Sequence, residues 1–109
     1  MSNHQYDIKI FATSQGREPF VDWLEKFNRD VKKRIILRIN RISIGNLGDC
    51  KNLGEGVLEL RFKFGKGYRI YFGKDGDKLV ILLCGGDKKT QKQDIEKAKQ
   101  YWSEYKNNS

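Results

Sequence analysis

From Val57 to Asp94 the chain alternates apolar and polar residues at strand period and is interrupted by glycine-centred triplets, which restricts it to an antiparallel meander. Leu58, Leu60, Phe62 and Phe64 share one parity and make a core face; Val57, Glu59, Arg61 and Lys63 share the other and point away from that core. Read as a three-residue hairpin loop, Gly65-Lys66-Gly67 sets Phe64 opposite Tyr68, Phe62 opposite Ile70, Lys63 opposite Arg69 and Arg61 opposite Tyr71. Directly opposed like charges destabilise a strand pair by about 0.2–1 kcal/mol. A sheet selected for stability alone would carry Glu or Thr there, so the cluster implies an anionic ligand that relieves the repulsion.

Size and charge bound the rest. A chain of 109 residues is expected to be one domain over 1–109, frayed at 1–5 and 106–109, able to bury about two thirds of its unfolded surface without metals or disulfides. The formal net charge of +8 gathers anions, which makes nucleic acid the first partner to consider and lipid a weaker one. No apolar run reaches the roughly 20 residues needed to span a bilayer, and MSNHQYDIK lacks a signal-peptide core, so the expectation is a cytoplasmic protein with no membrane partner. Cys50 and Cys84 have neither CxxC spacing nor supporting histidines. They read as free thiols, Cys84 packed as a small hydrophobe, with no metal and no small-molecule cofactor. His4 is the one histidine, and its place in a polar leader excludes a His-dependent triad unless it folds back.

Elsewhere, Tyr6 to Thr13 reads as a first strand. Pro19 opens a helix with Phe20, Trp23, Leu24 and Phe27 as its apolar stripe. A second helix, capped by Asp30, repeats Val31, Ile35, Ile39 and Ile42 and stops at Gly45-Asn46. Its other face carries Lys32, Lys33, Arg34, Arg38 and Arg41 with almost no acidic counterweight. Asn46 to Gly56 reads as a glycine-rich loop carrying Asp49 and Lys51. The strands Val57 to Phe64, Tyr68 to Lys74 and Lys78 to Cys84 follow, the last apolar on both parities and so central. Thr90 or Asp87 caps a final helix bearing Ile95, Ala98 and Trp102. The order β-α-α-β-β-β-α gives an α+β fold with a mostly antiparallel sheet and helices packed on one face.

Such a fold leaves Arg61, Lys63, Arg69 and Tyr71 on an uncovered basic sheet face. Arg61 and Arg69 suit bidentate phosphate binding, and Tyr71 suits stacking on a base or sharing a proton with a ribose hydroxyl. Lys88 and Lys89 stand at the mouth of the last strand, before Gln91 and Asp94 on the helix start. Such groups can cleave RNA without metal, because the 2′-hydroxyl is an internal nucleophile and the protein need only orient it and stabilise the charged phosphorane. Proton transfer is the open step: neighbouring cations would lower the pKa of Tyr71, and Glu59 and Asp94 are the acidic alternatives.

Four pieces in order, REPFVDWL, RI followed by GNLGDCKNL, GVLELRFKFGKGYRIYF and LLCGGDKKTQKQDIEKA, resemble the phage-derived addiction-module killer proteins, HigB-like toxins of the RelE/ParE superfamily. The likeness runs from Ile8 to Ala98. It implies a RelE-like toxin paired with a helix-turn-helix antitoxin, inhibiting translation by cutting messenger RNA in the ribosomal A site. On that resemblance Arg61 and Arg69 match the positions that hold the scissile phosphate, with Tyr71 and Lys88 beside them as catalytic candidates. Lys51, Lys63, Lys89, Gln91, Arg38 and Arg41 are the candidate RNA contacts. The chain lacks a tyrosine near Asp94 and loop histidines, which leaves the acid and base unassigned. A ParE-like gyrase poison and a non-catalytic RNA-binding module stay open as alternatives.

Overall fold

The computed structural model describes residues 5–108, so His4 lies outside the described residues. Eight elements follow in order: β1 (Asp7–Ile10), α1 (Pro19–Leu24), α2 (Arg29–Ser43), β2 (Cys50–Gly54), β3 (Val57–Arg61), β4 (Arg69–Asp75), β5 (Leu79–Gly86) and α3 (Gln91–Asn107). The strands form one sheet in the order β1-β5-β4-β3-β2, antiparallel except for the β1–β5 pair. β5 is flanked on both sides and covered on both faces, which is why it is apolar at both parities. The α+β class and the mostly antiparallel sheet bearing three helices are as expected of a RelE-like fold.

Each sheet face has its own core. Leu60, Ile70, Phe72, Val80 and Leu82 pack against Phe20 of α1 and Ile35, Ile39 and Ile42 of α2. Val57, Tyr71, Ile81 and Leu83 on the other face pack against Ala98 and Trp102 of α3. The packing of helices on one face therefore holds for α1 and α2 and not for α3. The reason lies in the parity opposite the α1–α2 core, which is apolar at Val57, Tyr71, Ile81 and Leu83 and offers the Ile95, Ala98 and Trp102 stripe a place to bury. Gly73 completes that seat, since a Cβ there would strike the Trp102 ring.

Two local assignments also differ from expectation. The segment read as a loop contains β2, joined to β3 through Gly54, Glu55 and Gly56, all at positive φ; the left-handed turn hides a hairpin behind glycine-rich composition. Asn28, not Asp30, caps α2, its Oδ1 accepting the Val31 N–H at 3.0 Å. α3 runs through Lys106 to Asn107.

The β3–β4 connection is the correction with most consequence. Arg61 pairs with Arg69, Leu60 with Ile70 and Glu59 with Tyr71, a register two residues away from the one a three-residue loop would set. The Phe62 N–H still donates to Tyr68 O at 2.9 Å, but Lys63 to Gly67 bow out of the strands. Aromatic packing accounts for the longer loop: the Phe64 ring lies 5.5 Å from Phe62 and 5.7 Å from Tyr68, and Tyr68 in turn sits 4.8 Å from Phe27.

Candidate functional site

Arg61 and Arg69 are cross-strand partners, one residue pair beyond Leu60 and Ile70 and two beyond Glu59 and Tyr71, at the end of the sheet where α3 begins. The like-charge opposition expected of this hairpin is thus present between the two arginines, with Lys63 outside the ladder. Beneath them Glu59 is fully buried. Its Oε2 accepts from Tyr71 Oη at 3.1 Å and Gln91 Nε2 at 2.8 Å and forms an ion pair with Arg69 Nε at 3.5 Å. Its Oε1 has no hydrogen-bond partner among the described residues. Arg69 Nη1 donates to Gly67 O at 2.8 Å, while its Nε makes the ion pair but no hydrogen bond, and the residue is only 9% exposed. Arg61 is looser, with its Nη2 3.6 Å from Asp49 Oδ1 and its side chain 42% exposed.

The expectation that neighbouring cations lower the Tyr71 pKa fails on this geometry. Tyr71 is buried under α3, and its phenol is pushed up from the ordinary value by burial first and by Glu59 second, not lowered by neighbouring cations. Its ring is buried and its hydroxyl is held by Glu59. Gln91 donates its amide to Glu59, the partner of Arg69. The uncovered basic sheet face is also absent, because α3 occupies that face.

The basic concavity lies instead between α2 and the end of β3. Arg34, Arg38, Arg41, Arg61 and Lys63 line a groove of about 310 Å³ floored by Phe62 and Phe64, with Asp49 as its acid. Arg34 sits over the Phe64 ring at 5.0 Å and Arg38 over Phe62 at 5.6 Å, so aromatic faces fix the guanidiniums without neutralising them. Helix cations and sheet cations therefore share a side of the molecule, and Arg61 joins them. Lys63 stands at the exposed rim. Lys51 is exposed on the edge strand, opposite Glu59.

Past Arg69 the surface opens into a further cleft of about 480 Å³ between α1 and the start of α3, with Trp23, Phe27 and Tyr68 as one wall and Asp94 on the other. Gly86, paired with Arg69, lines it, and a Cβ at Gly86 would collide with the Asp94 carboxylate. Burial pushes the Asp94 carboxyl up, against the opposing effects of the Thr90 hydrogen bond and Lys97. Lys88 is exposed and abuts Gly67 beside Arg69, with its backbone N–H donating to Lys66 O at 3.3 Å. Lys89 sits apart from this group, in a shallow depression with Lys92 and Glu96 on the outer side of α3. The parity pattern missed the Asp49 partner and the seat of Asp94 on Gly86. The acid in the glycine-rich loop sequence and the paired glycines were the available signals.

Both cysteines are free; burial pushes the Cys84 thiol up to about 12. Among the described residues no cluster of His, Cys, Asp and Glu is placed to hold a metal, and no helix is long and apolar enough to cross a membrane.

Fold and site together define a small basic α+β protein with a cationic groove leading to a braced arginine pair. The chain belongs to the family described as phage derived protein Gp49-like (DUF891), whose model matches residues 22–103. It is also similar to an uncharacterized protein of Haemophilus influenzae (strain ATCC 51907 / DSM 11121 / KW20 / Rd), 49% identical over 81 residues that make up 73% of this chain and 82% of the relative. The span matched by the family model includes α2, the whole β2–β5 hairpin series and most of α3, and therefore every site residue discussed above.

Proposed function

We propose that this protein is the toxin of a toxin–antitoxin pair and acts as an endoribonuclease on messenger RNA at the ribosome, by metal-independent attack of the 2′-hydroxyl. The observation that carries this reading is the direct pairing of Arg61 with Arg69 at the mouth of the α2 groove. Two arginines opposite each other across the β3–β4 ladder, Arg69 held by Glu59 and Gly67 and Arg61 half exposed, offer a seat for a phosphate that gains negative charge in the transition state. The groove cations Arg34, Arg38 and Arg41 lead the RNA backbone to that seat. Lys88 stands beside Arg69 as a further source of positive charge.

Asp94 takes the proton-transfer role that Tyr71 cannot fill. It rests on Gly86, the residue paired with Arg69, and its carboxyl is shifted upward, in the direction that makes a carboxylate a more effective general base near neutral pH. The Glu59 carboxylate is a positioning group, because it is sealed from solvent. A helix-turn-helix antitoxin is the partner this reading implies.

Inducible expression of wild type, Arg61→Ala and Asp94→Asn tests it. Growth arrest with messages cut at codon boundaries is expected for wild type alone, with all three proteins folded. Arrest with intact messages and DNA-damage signalling would transfer the reading to a gyrase poison. No arrest, with salt-sensitive RNA affinity retained, would leave a non-catalytic RNA-binding module.

A further inference from the structure

Helix α2 carries two apolar stripes where one would suffice. Ile35, Ile39 and Ile42 are buried against the sheet. Ile36, Leu37 and Ile44, joined by Lys33 and Asn40 at i, i+3, i+4, i+7 and i+11 spacing, form another stripe that points away from it. These three side chains are 45%, 52% and 65% exposed and are the large hydrophobic residues left most open among the described residues. Scattered single exposures need no explanation, but the adjacent pair Ile36 and Leu37, continued past Asn40 by Ile44 at the C-cap of α2, does in so charged a chain.

We infer that this outward stripe docks an acidic amphipathic helix of a protein partner. Its length, roughly 17 Å at about 1.5 Å per residue, matches three turns of a helix laid along α2. Its flanks specify charge: Arg29 and Lys33 border the shallow groove at the Ile36–Leu37 end, and Arg34 and Arg41 border the other side. A second copy of the chain would bring the same cations face to face, and Coulomb repulsion disfavours it. A lipid surface is a poorer match, since the stripe has no aromatic residue and the opposite side of α2 is locked into the core. Leu37 lines both this groove and the cationic groove that contains Arg38 and Arg61. An acidic helix seated here therefore covers the entrance to the phosphate seat, so partner and RNA exclude each other. The inference rests on the partnership proposed above and not on RNA cleavage.

The full chain is titrated with a designed 16-residue peptide bearing leucines at the same spacing and glutamates on its flanks, with a lysine-flanked version as control. Backbone amide NMR shifts report the site. The glutamate peptide is expected to bind at least tenfold tighter than the lysine peptide, to shift Lys33, Ile36, Leu37 and Ile44, and to displace a single-stranded RNA oligonucleotide. The variant Ile36→Asn/Ile44→Asn should lose at least tenfold in peptide affinity while keeping RNA affinity within twofold. Equal binding of both peptides, shifts elsewhere, or no binding overturns the inference. So does association with phosphatidylglycerol vesicles or self-association that the variant abolishes in place of peptide binding. Peptide binding without any RNA affinity would leave this surface standing and remove the nuclease reading.

Discussion

The Nε of Arg69 lies 3.5 Å from Oε2 of Glu59, a carboxylate with no solvent exposure that simultaneously receives the hydroxyl of Tyr71 and the amide of Gln91. A charge pair so placed contributes less to net stability than to geometry, because desolvation offsets most of its attraction. Its consequence is a guanidinium fixed in direction before any ligand arrives.

Removing one partner should be costly and removing both should not. Glu59→Gln leaves Arg69 nearly buried without its counter-charge and should lower unfolding free energy by about 3 kcal/mol. The double replacement Glu59→Leu/Arg69→Met should recover most of that stability in urea titrations while RNA binding stays lost. Equal destabilisation by the double replacement would show that the pair serves stability, not ligand placement.

Tyr71→Phe removes a buried hydroxyl and frees part of the Glu59 acceptor capacity, so a loss of about 1–2 kcal/mol is expected. RNA affinity and cleavage should be retained, because the ring lies beneath α3. A variant that is stable yet inactive would return Tyr71 to the chemistry.

Gly73→Ala should cost about 1–3 kcal/mol by overpacking, since its Cβ points into the Trp102 ring. Gly76→Ala meets nothing within 4 Å, and its penalty, about 1 kcal/mol, comes only from the φ of +72°. Thermal unfolding of the two variants separates the steric cost from the backbone cost; a Gly73→Ala protein as stable as wild type would contradict the packing of α3 on this face.

The pKa shifts set an alkaline limit. Cys84 rises from 9.0 to about 12 and Tyr71 rises above 10.0, so the native state keeps protons that the unfolded chain releases. Their contribution is complete below pH 9 and is lost as pH climbs toward 12. The urea midpoint should fall across that window, and less steeply in Cys84→Ala. At about pH 8, below the unfolded thiol's pKa, Ellman's reagent should leave Cys84 unmodified until denaturant is added; rapid native modification would contradict its burial.

How much of this was legible in the sequence follows from which forces are local. Strand parity put Leu60 and Ile70 in the core and Arg61 with Arg69 on the opposite side, and helical spacing found Ile35, Ile39 and Ile42. The register was not legible, because it depends on Phe64 packing on Tyr68 and Tyr68 meeting Phe27 across the fold, and no turn rule contains those contacts. β2 was hidden because glycine at positive φ reads as loop even where it makes a hairpin. The burial of Tyr71 and the Gln91–Glu59 hydrogen bond turned on where α3 packs, which is a tertiary fact.

The most direct test of the account is single-stranded RNA affinity measured against salt concentration for wild type and Arg61→Ala. Arg61 is half exposed and its 3.6 Å contact with Asp49 is a surface pair, so the substitution should change stability by less than about 0.5 kcal/mol. Wild type should show log affinity falling linearly with log salt, and the variant should bind more weakly with a slope shallower by about 0.7, the loss of one phosphate contact. A flat salt dependence in wild type, or identical slopes in the two proteins, would contradict the assignment of the arginine pair as the phosphate seat.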